Sequence, residues 1–92
     1  MHTGSAEFEW DLRKARSNLR KHGVHFADAA SVFEDPRAVT ARDERSGELR
    51  FVTVGEDSLG RHLVVAYVWR GEVVRIISAR RATAREGREH EG

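Results

Sequence analysis

The sequence predicts an α+β domain: a helical hairpin packed on an antiparallel β-meander, with a short helix to close. Three observations carry this reading. Apolar residues recur at helical spacing as far as Pro36. They recur at period two from Ala38 to Ala79. A capping box then follows at Thr83 and Glu86. The 92 residues give room for one domain, spanning 1–92. A domain this small buries only about 60% of the surface that its unfolded chain exposes.

Met1–Ala6 reads as a loose end. Glu7–Trp10, with Phe8 and Trp10 at alternate positions, reads as a short edge strand. Asp11 is a good N-cap, because its carboxylate accepts the orphan amide hydrogens of a first helical turn. The helix it opens places Leu12, Ala15 and Leu19 on one inward face, at i, i+3 and i+7. Gly23 ends that helix, since glycine takes the left-handed conformation without a Cβ penalty. Phe26, Ala29, Ala30 and Phe33 form the buried stripe of a second helix, which Asp35–Pro36 stops. Two short helices joined at Gly23 make the hairpin.

Beyond Pro36, Ala38–Arg42 is a weak strand and Leu49–Val54 a better one, with Glu56–Gly60 as a turn. His62–Arg70 is the strongest strand, with Leu63, Val65, Tyr67 and Trp69 facing one way. Arg70–Gly71 is a tight hairpin turn. Val73–Ala79 is apolar on both faces and belongs in the centre of the sheet. The capping box starts a last helix from Ala84 to about His90, which Gly87 weakens by about 1 kcal/mol relative to alanine. The helices are expected on one face of the sheet.

Composition narrows the function classes. Cysteine is absent, which excludes disulfides and thiolate metal sites and fits a reducing cytoplasm. No apolar run approaches the ~20 residues of a membrane span. Met1–Glu9 lacks the basic start and apolar stretch of a signal peptide. The formal net charge is only +1, yet it is unevenly spread. Asp11–His22 sets Arg13, Lys14, Arg16, Arg20 and Lys21 against Asp11 alone. Arg61–Arg85 sets six arginines against Glu72 alone. Two basic blocks on a near-neutral chain point to a local anion-binding surface, with ordinary solvated charge as the alternative.

The chain has no phosphate-binding glycine loop, no HExxH pattern and no nucleophile elbow. His22 and His25 straddle Gly23, and no third ligand stands at a zinc spacing, so neither metal nor cofactor is expected. Arginine, lysine and histidine remain. Lys21-His22-Gly23 ends a helix, Arg61-His62 begins the strongest strand, and Ser78-Ala79-Arg80-Arg81 ends the central one. Adjacent Arg80 and Arg81 on a regular strand face opposite sides, but a bend into the Thr83 cap would let both reach one anion. The guanidinium fork matches two phosphate oxygens. RNA brings its own nucleophile, the 2′-hydroxyl, so positioning, charge stabilisation and proton transfer suffice to cleave it. Each group also has a structural reading. Lys21 and His22 suit a helix-dipole cap, Arg61 a solvated strand edge, and Arg80 and Arg81 pairing with acids such as Glu86. Trp10, Tyr67 and Trp69 suit either base stacking or the core.

Several segments resemble the BrnT toxins. In the N-terminal half these are Phe8-Glu9-Trp10-Asp11, Asn18-Leu19-Arg20-Lys21-His22-Gly23-Val24, Phe26 with Ala29-Ala30, and Val32-Phe33-Glu34-Asp35-Pro36. In the C-terminal half they are Arg50-Phe51-Val52-Thr53-Val54-Gly55 and Val74-Arg75-Ile76-Ile77-Ser78-Ala79-Arg80-Arg81-Ala82-Thr83. The resemblance runs from about Glu7 to Glu89. His25 departs from it, standing where a serine or aspartate cap is more usual. So does the glycine-interrupted segment from Arg85 to Gly92.

The resemblance implies a RelE-like fold, RNA cleavage and growth arrest in the bacterial cytoplasm. It implies neutralisation by a BrnA-like ribbon-helix-helix antitoxin, in a heterotetramer of two toxins and two antitoxins, with operator DNA reached only through the antitoxin. Arg80 and Arg81 match the family's arginine pair, Lys21 and His22 its lysine–histidine motif, and Arg61 a basic position opening the long strand. The expected function is that of a metal-independent endoribonuclease toxin. Arg80 and Arg81 would hold the phosphate, His22 or Lys21 would transfer protons, and Arg61 would position substrate. Histidine suits proton transfer because its unperturbed pKa lies near neutrality. The alternative is a catalytically silent module that binds RNA or an antitoxin through the same basic blocks.

Overall fold

A computed structural model describes residues 7–45 and 47–91. The expected loose end, Met1–Ala6, lies outside the described residues. The element order is β1 (Glu7–Glu9), α1 (Leu12–His22), α2 (Phe26–Ala30), a 3₁₀ turn (Ser31–Glu34), β2 (Val39–Asp43), β3 (Arg50–Glu56), β4 (His62–Arg70), β5 (Val73–Arg81) and α3 (Ala84–Glu91). Among the described residues no helix is long and apolar enough to cross a membrane.

Local chemistry sets the helix ends. The Asp11 carboxylate accepts the Arg13 and Lys14 amides at 2.8 and 3.1 Å, and Gly23 takes φ 69° with its N–H on the Leu19 carbonyl. His25 occupies the N-cap of α2 without a side-chain bond. The α2 helix lasts five residues before tightening into the 3₁₀ turn, which ends at Asp35 as Pro36 requires.

The sheet has the order β1-β5-β4-β3-β2. The expected antiparallel meander is present as β2 to β5, but the sheet is mixed, because β1 pairs in parallel with β5. β5 is interior, with β1 and β4 on either side of it, and β4 is the central strand. One face of the sheet carries Leu63, Val65 and Tyr67 of β4 and Val74, Ile76 and Ala79 of β5. These pack with Val24, Phe26, Ala29 and Val32 as the buried core. A register shift opposite Ala66 and Tyr67 leaves Ile77 as an extra residue in β5. That bulge keeps Ala79 on the same face as Ile76. It also assigns the arginines, since Arg81 then shares the face of Leu63 and Arg80 that of Val64.

Two expectations need correction. The inward face of α1 is not built on its leucines: Leu12 is 67% exposed and Leu19 37%. Of the expected stripe only Ala15 packs against the core, and beside it the buried residue is Asn18. Its Nδ2 donates to the Ala79 and Val24 carbonyls at 2.8 and 3.0 Å, and its Oδ1 accepts the Ala79 N–H at 3.0 Å. β1 has ended at Glu9, opposite Arg75, so the next stretch of β5 has an open edge. The Asn18 amide takes the missing strand's place. The second correction concerns α3, which packs on the opposite face from α1 and α2. It lies over Val39 and Val54, and its Glu86 pairs with Arg80.

A close approach fixes the other side of the core. A Cβ at Gly55 would lie 2.8 Å from Val32 Cγ1 and 3.0 Å from Ala38 Cβ, so the 3₁₀ turn can rest on β3 only over a glycine. The Asp35 carboxylate, which accepts the Glu56 N–H at 2.8 Å, completes the join.

Asn18→Ala would strand buried groups on Ala79 and Val24, each costing about 1–3 kcal/mol. Chemical denaturation should show a loss of at least about 2 kcal/mol, and an unchanged midpoint would refute this account of α1. Gly55→Ala overpacks the β3 contact, and the same measurement should show a loss of about 1–3 kcal/mol.

Candidate functional site

The end of β5, the start of β4 and the first turn of α3 enclose an open hollow of about 360 Å³. Arg61, His62, Arg81 and Arg88 line it, together with the Thr83–Ala84 entry to α3. Arg81 leaves the strand exposed, and its guanidinium has no hydrogen-bond or ion-pair partner among the described residues. The N-terminus of α3 adds the positive end of a helix dipole. Among the described residues no carboxylate lines the hollow.

Arg61 is held firmly. Its Nη2 lies 2.8 Å from Asp57 Oδ2 and 3.3 Å from Asp28 Oδ2, its Nε donates to Asp57 at 2.9 Å, and its Nη1 reaches to 3.5 Å from the Gly23 carbonyl. The Asp57 side chain is fully buried. It also accepts the Leu59 and Arg61 amides and so shapes the turn between β3 and β4. Arg61 is therefore no solvated strand edge. It ties α2 and the end of α1 to this turn while lining the hollow.

Arg80 and Arg81 do not converge. Arg80 donates from both terminal nitrogens to the Glu86 carboxylate, each at 2.9 Å, and from Nη1 to the Arg81 carbonyl at 3.2 Å. Glu86 also accepts the Thr83 N–H at 2.8 Å, and Thr83 Oγ1 accepts the Glu86 N–H at 3.1 Å, closing the capping box. The Arg80 guanidinium holds the Glu86 carboxyl down from its ordinary 4.5 to about 2, helped by the Thr83 amide. Glu86 in turn raises Arg80 further. The predicted bend into the cap exists, but it gives Arg80 to α3 and leaves Arg81 to the hollow.

Lys21 and His22 line a second hollow of about 250 Å³, between α1 and the bulged part of β5, with Lys14, Ser17, Ile77 and Ser78. Gly23 follows His22 in the chain, and its carbonyl lies 3.5 Å from Nη1 of Arg61, which lines the first hollow. Sequence reasoning did not assign His62, Arg88, Lys14 or Ser17. His62 was legible beside Arg61, whereas Arg88 needed the direction of α3. Among the aromatics, Tyr67 is buried with its hydroxyl 2.8 Å from Thr53 Oγ1, and Trp10 packs edge-on against Phe26. Trp69 is 47% exposed. Among the described residues no group of three or more His, Asp or Glu side chains is placed to hold a metal ion.

The Arg80–Glu86 clasp gives an acid-sensitive element. The lowered Glu86 pKa stabilises the docked α3 above pH 4.5, and this is lost as the pH falls towards about 2. NMR of the Ala84–Glu89 amides should show α3 loosening within that window, and Glu86→Gln should loosen it already at neutral pH. An acid titration identical in wild type and Glu86→Gln would remove the clasp from the account.

Comparison with known proteins gives concordant results. The family model for the ribonuclease toxin BrnT of type II toxin–antitoxin systems matches residues 10–86. No curated protein sequence matches the chain. Among solved structures, the Brucella abortus ribonuclease toxin BrnT superposes with a TM-score of 0.69 at 25% identity, covering 85% of this chain and 97% of that one.

Proposed function

The chain belongs to the BrnT family of ribonuclease toxins of type II toxin–antitoxin systems, and from that premise we propose a metal-independent cleavage of RNA at the hollow around Arg81. The observation that carries this reading is the unpartnered Arg81 guanidinium, set beside the α3 N-terminus with Arg61, His62 and Arg88.

The 2′-hydroxyl of the substrate attacks the adjacent phosphorus while the bond to the 5′-oxygen breaks. One proton leaves the 2′-oxygen and one reaches the departing 5′-oxygen. The products are a 2′,3′-cyclic phosphate and a 5′-hydroxyl, and no co-reactant is consumed. Arg81 holds the phosphate and stabilises the charge that builds on it, supported by Arg88 and the exposed edge of Arg61. His22 or Lys21, from the adjoining helix end, handles proton transfer, with His62 the imidazole that lines the hollow itself. Arg80 is a positioning residue, since it holds α3 against the sheet and thereby the wall of the hollow.

The finer relations follow the family. We read the two N-terminal helices as the hairpin of a RelE-like fold. The antitoxin that a type II system requires is taken to be a BrnA-like ribbon-helix-helix protein, in a complex of two toxins and two antitoxins that reaches operator DNA through the antitoxin. The site of action is the cytoplasm, where the RNA is.

End-labelled RNA incubated with purified protein in EDTA tests the reading. Wild type should yield fragments with cyclic phosphate ends. Arg81→Ala should slow cleavage by about 10² or more, as loss of a charge-stabilising donor does. Its thermal melt should be unchanged. Arg80→Ala should lower the melt and keep part of the activity. Intact RNA with wild-type protein would end the free-enzyme reading, and a growth test in cells would then separate a ribosome-dependent toxin from a silent binder.

A further inference from the structure

We propose that the hollow between α1 and the bulged part of β5 is a second phosphate-binding subsite, one that grips the RNA backbone beside the phosphate held at Arg81. Lys14, Ser17, Lys21, His22 and Ser78 supply its polar lining. The inference deepens the ribonuclease reading by adding Lys14, Ser17 and Ser78 to the substrate path.

The helix places these groups together. At 3.6 residues per turn, Lys14 and Lys21 project within about 20° of each other, with Ser17 between them along the axis. Buried Asn18, bonded to both polar groups of Ala79, fixes the rotation of α1 and so sets these lysines beside the edge of β5.

The distribution of ion pairs identifies the ligand as a polyanion. Arg42, Arg45, Arg50, Arg61, Arg75, Arg80 and Arg85 each pair with a carboxylate. Among the described residues, Arg13, Lys14, Arg16, Arg20 and Lys21 of α1 form no ion pair. Of the acids flanking α1, the Asp11 carboxylate is engaged by the Arg13 and Lys14 amides and that of Asp28 by Arg61. Neither Ser17 nor Ser78 spends its hydroxyl on a hydrogen bond among the described residues. Unpaired cations with free hydroxyl donors are what phosphate oxygens require.

Continuity ties the subsite to the reacting centre. Lys21 and His22 run into Gly23, whose carbonyl lies 3.5 Å from Arg61 Nη1, and Arg61 lines the hollow of Arg81. Along β5, Ser78 and Arg81 are three residues apart, about 10 Å of strand. They face opposite sides of the sheet, so one RNA strand crosses the open edge of β5 to reach both hollows.

The test is fluorescence anisotropy of a labelled single-stranded 2′-O-methyl RNA, which lacks the nucleophile and stays intact, titrated with the full chain over a range of salt. Lys14→Ala/Ser17→Ala should bind about fivefold more weakly, with a salt slope smaller by about one. Its thermal melt should match wild type. Affinity and slope equal to wild type would overturn the subsite. A loss with Arg81→Ala alone would do the same while leaving the ribonuclease reading standing. A loss with the double variant, alongside natural RNA left uncut by wild type, would keep the subsite and remove the cleavage reading. If RNA binding is untouched but the double variant fails to bind an acidic peptide that wild type binds, the surface serves a protein partner and the proposal falls.

Discussion

The fold depends on one side-chain amide. Asn18 gives β5 the neighbour that β1 no longer provides, satisfying the N–H and C=O of Ala79, and its second hydrogen reaches the Val24 carbonyl just after the helix ends. A buried strand edge left open would carry unpaired backbone groups, each costly away from water. Meeting that need with a residue of α1 sets where the helix lies, how it is rotated and where the chain turns at Gly23. The cationic end of α1, the clasp of Arg61 and the exposure of the lysines follow from this placement. The polar bond and the apolar core are complementary: Val24 and Ala79, at the two ends of the Asn18 bridge, are themselves fully buried.

Much of this was legible in the chain itself. Asp11, Gly23, Pro36 and the Thr83–Glu86 box mark element ends through local backbone chemistry, and local chemistry does not depend on the rest of the fold. The alternation of Leu63, Val65 and Tyr67 named the buried face of β4 in the same way. What periodicity could not show was long-range. It counted Leu12 and Leu19 as inward because they are apolar, whereas the open strand edge demanded an amide. It gave β1 no direction, and the layer rule put α3 on the same face as the other helices, whereas it packs on the opposite one. The arginine pair was found but not apportioned, because the single extra residue at Ile77 decides which of the two looks toward the helices.

That bulge divides the labour between neighbours in sequence. Arg80 spends its guanidinium on Glu86, and Arg81 keeps its own open. The same division runs through the molecule: Arg61 closes a turn with Asp57 and Asp28, while the cations of α1 have no ion pair among the described residues. Charge engaged by carboxylates builds the walls, and charge left free stays available to an anion. Total charge says nothing of this, since the formal net value is only +1.

The bonds that complete the site join distant parts of the chain. Asn18 meets Ala79 across 61 residues, and Glu9 meets Arg75 across 66. Pairings so remote in sequence form late, after the closure entropy of the intervening chain has been overcome. During synthesis the basic α1 emerges before its strand partner β5 and before the wall carrying Arg88. A partly made chain thus exposes the cationic helix before the hollow around Arg81 has its walls.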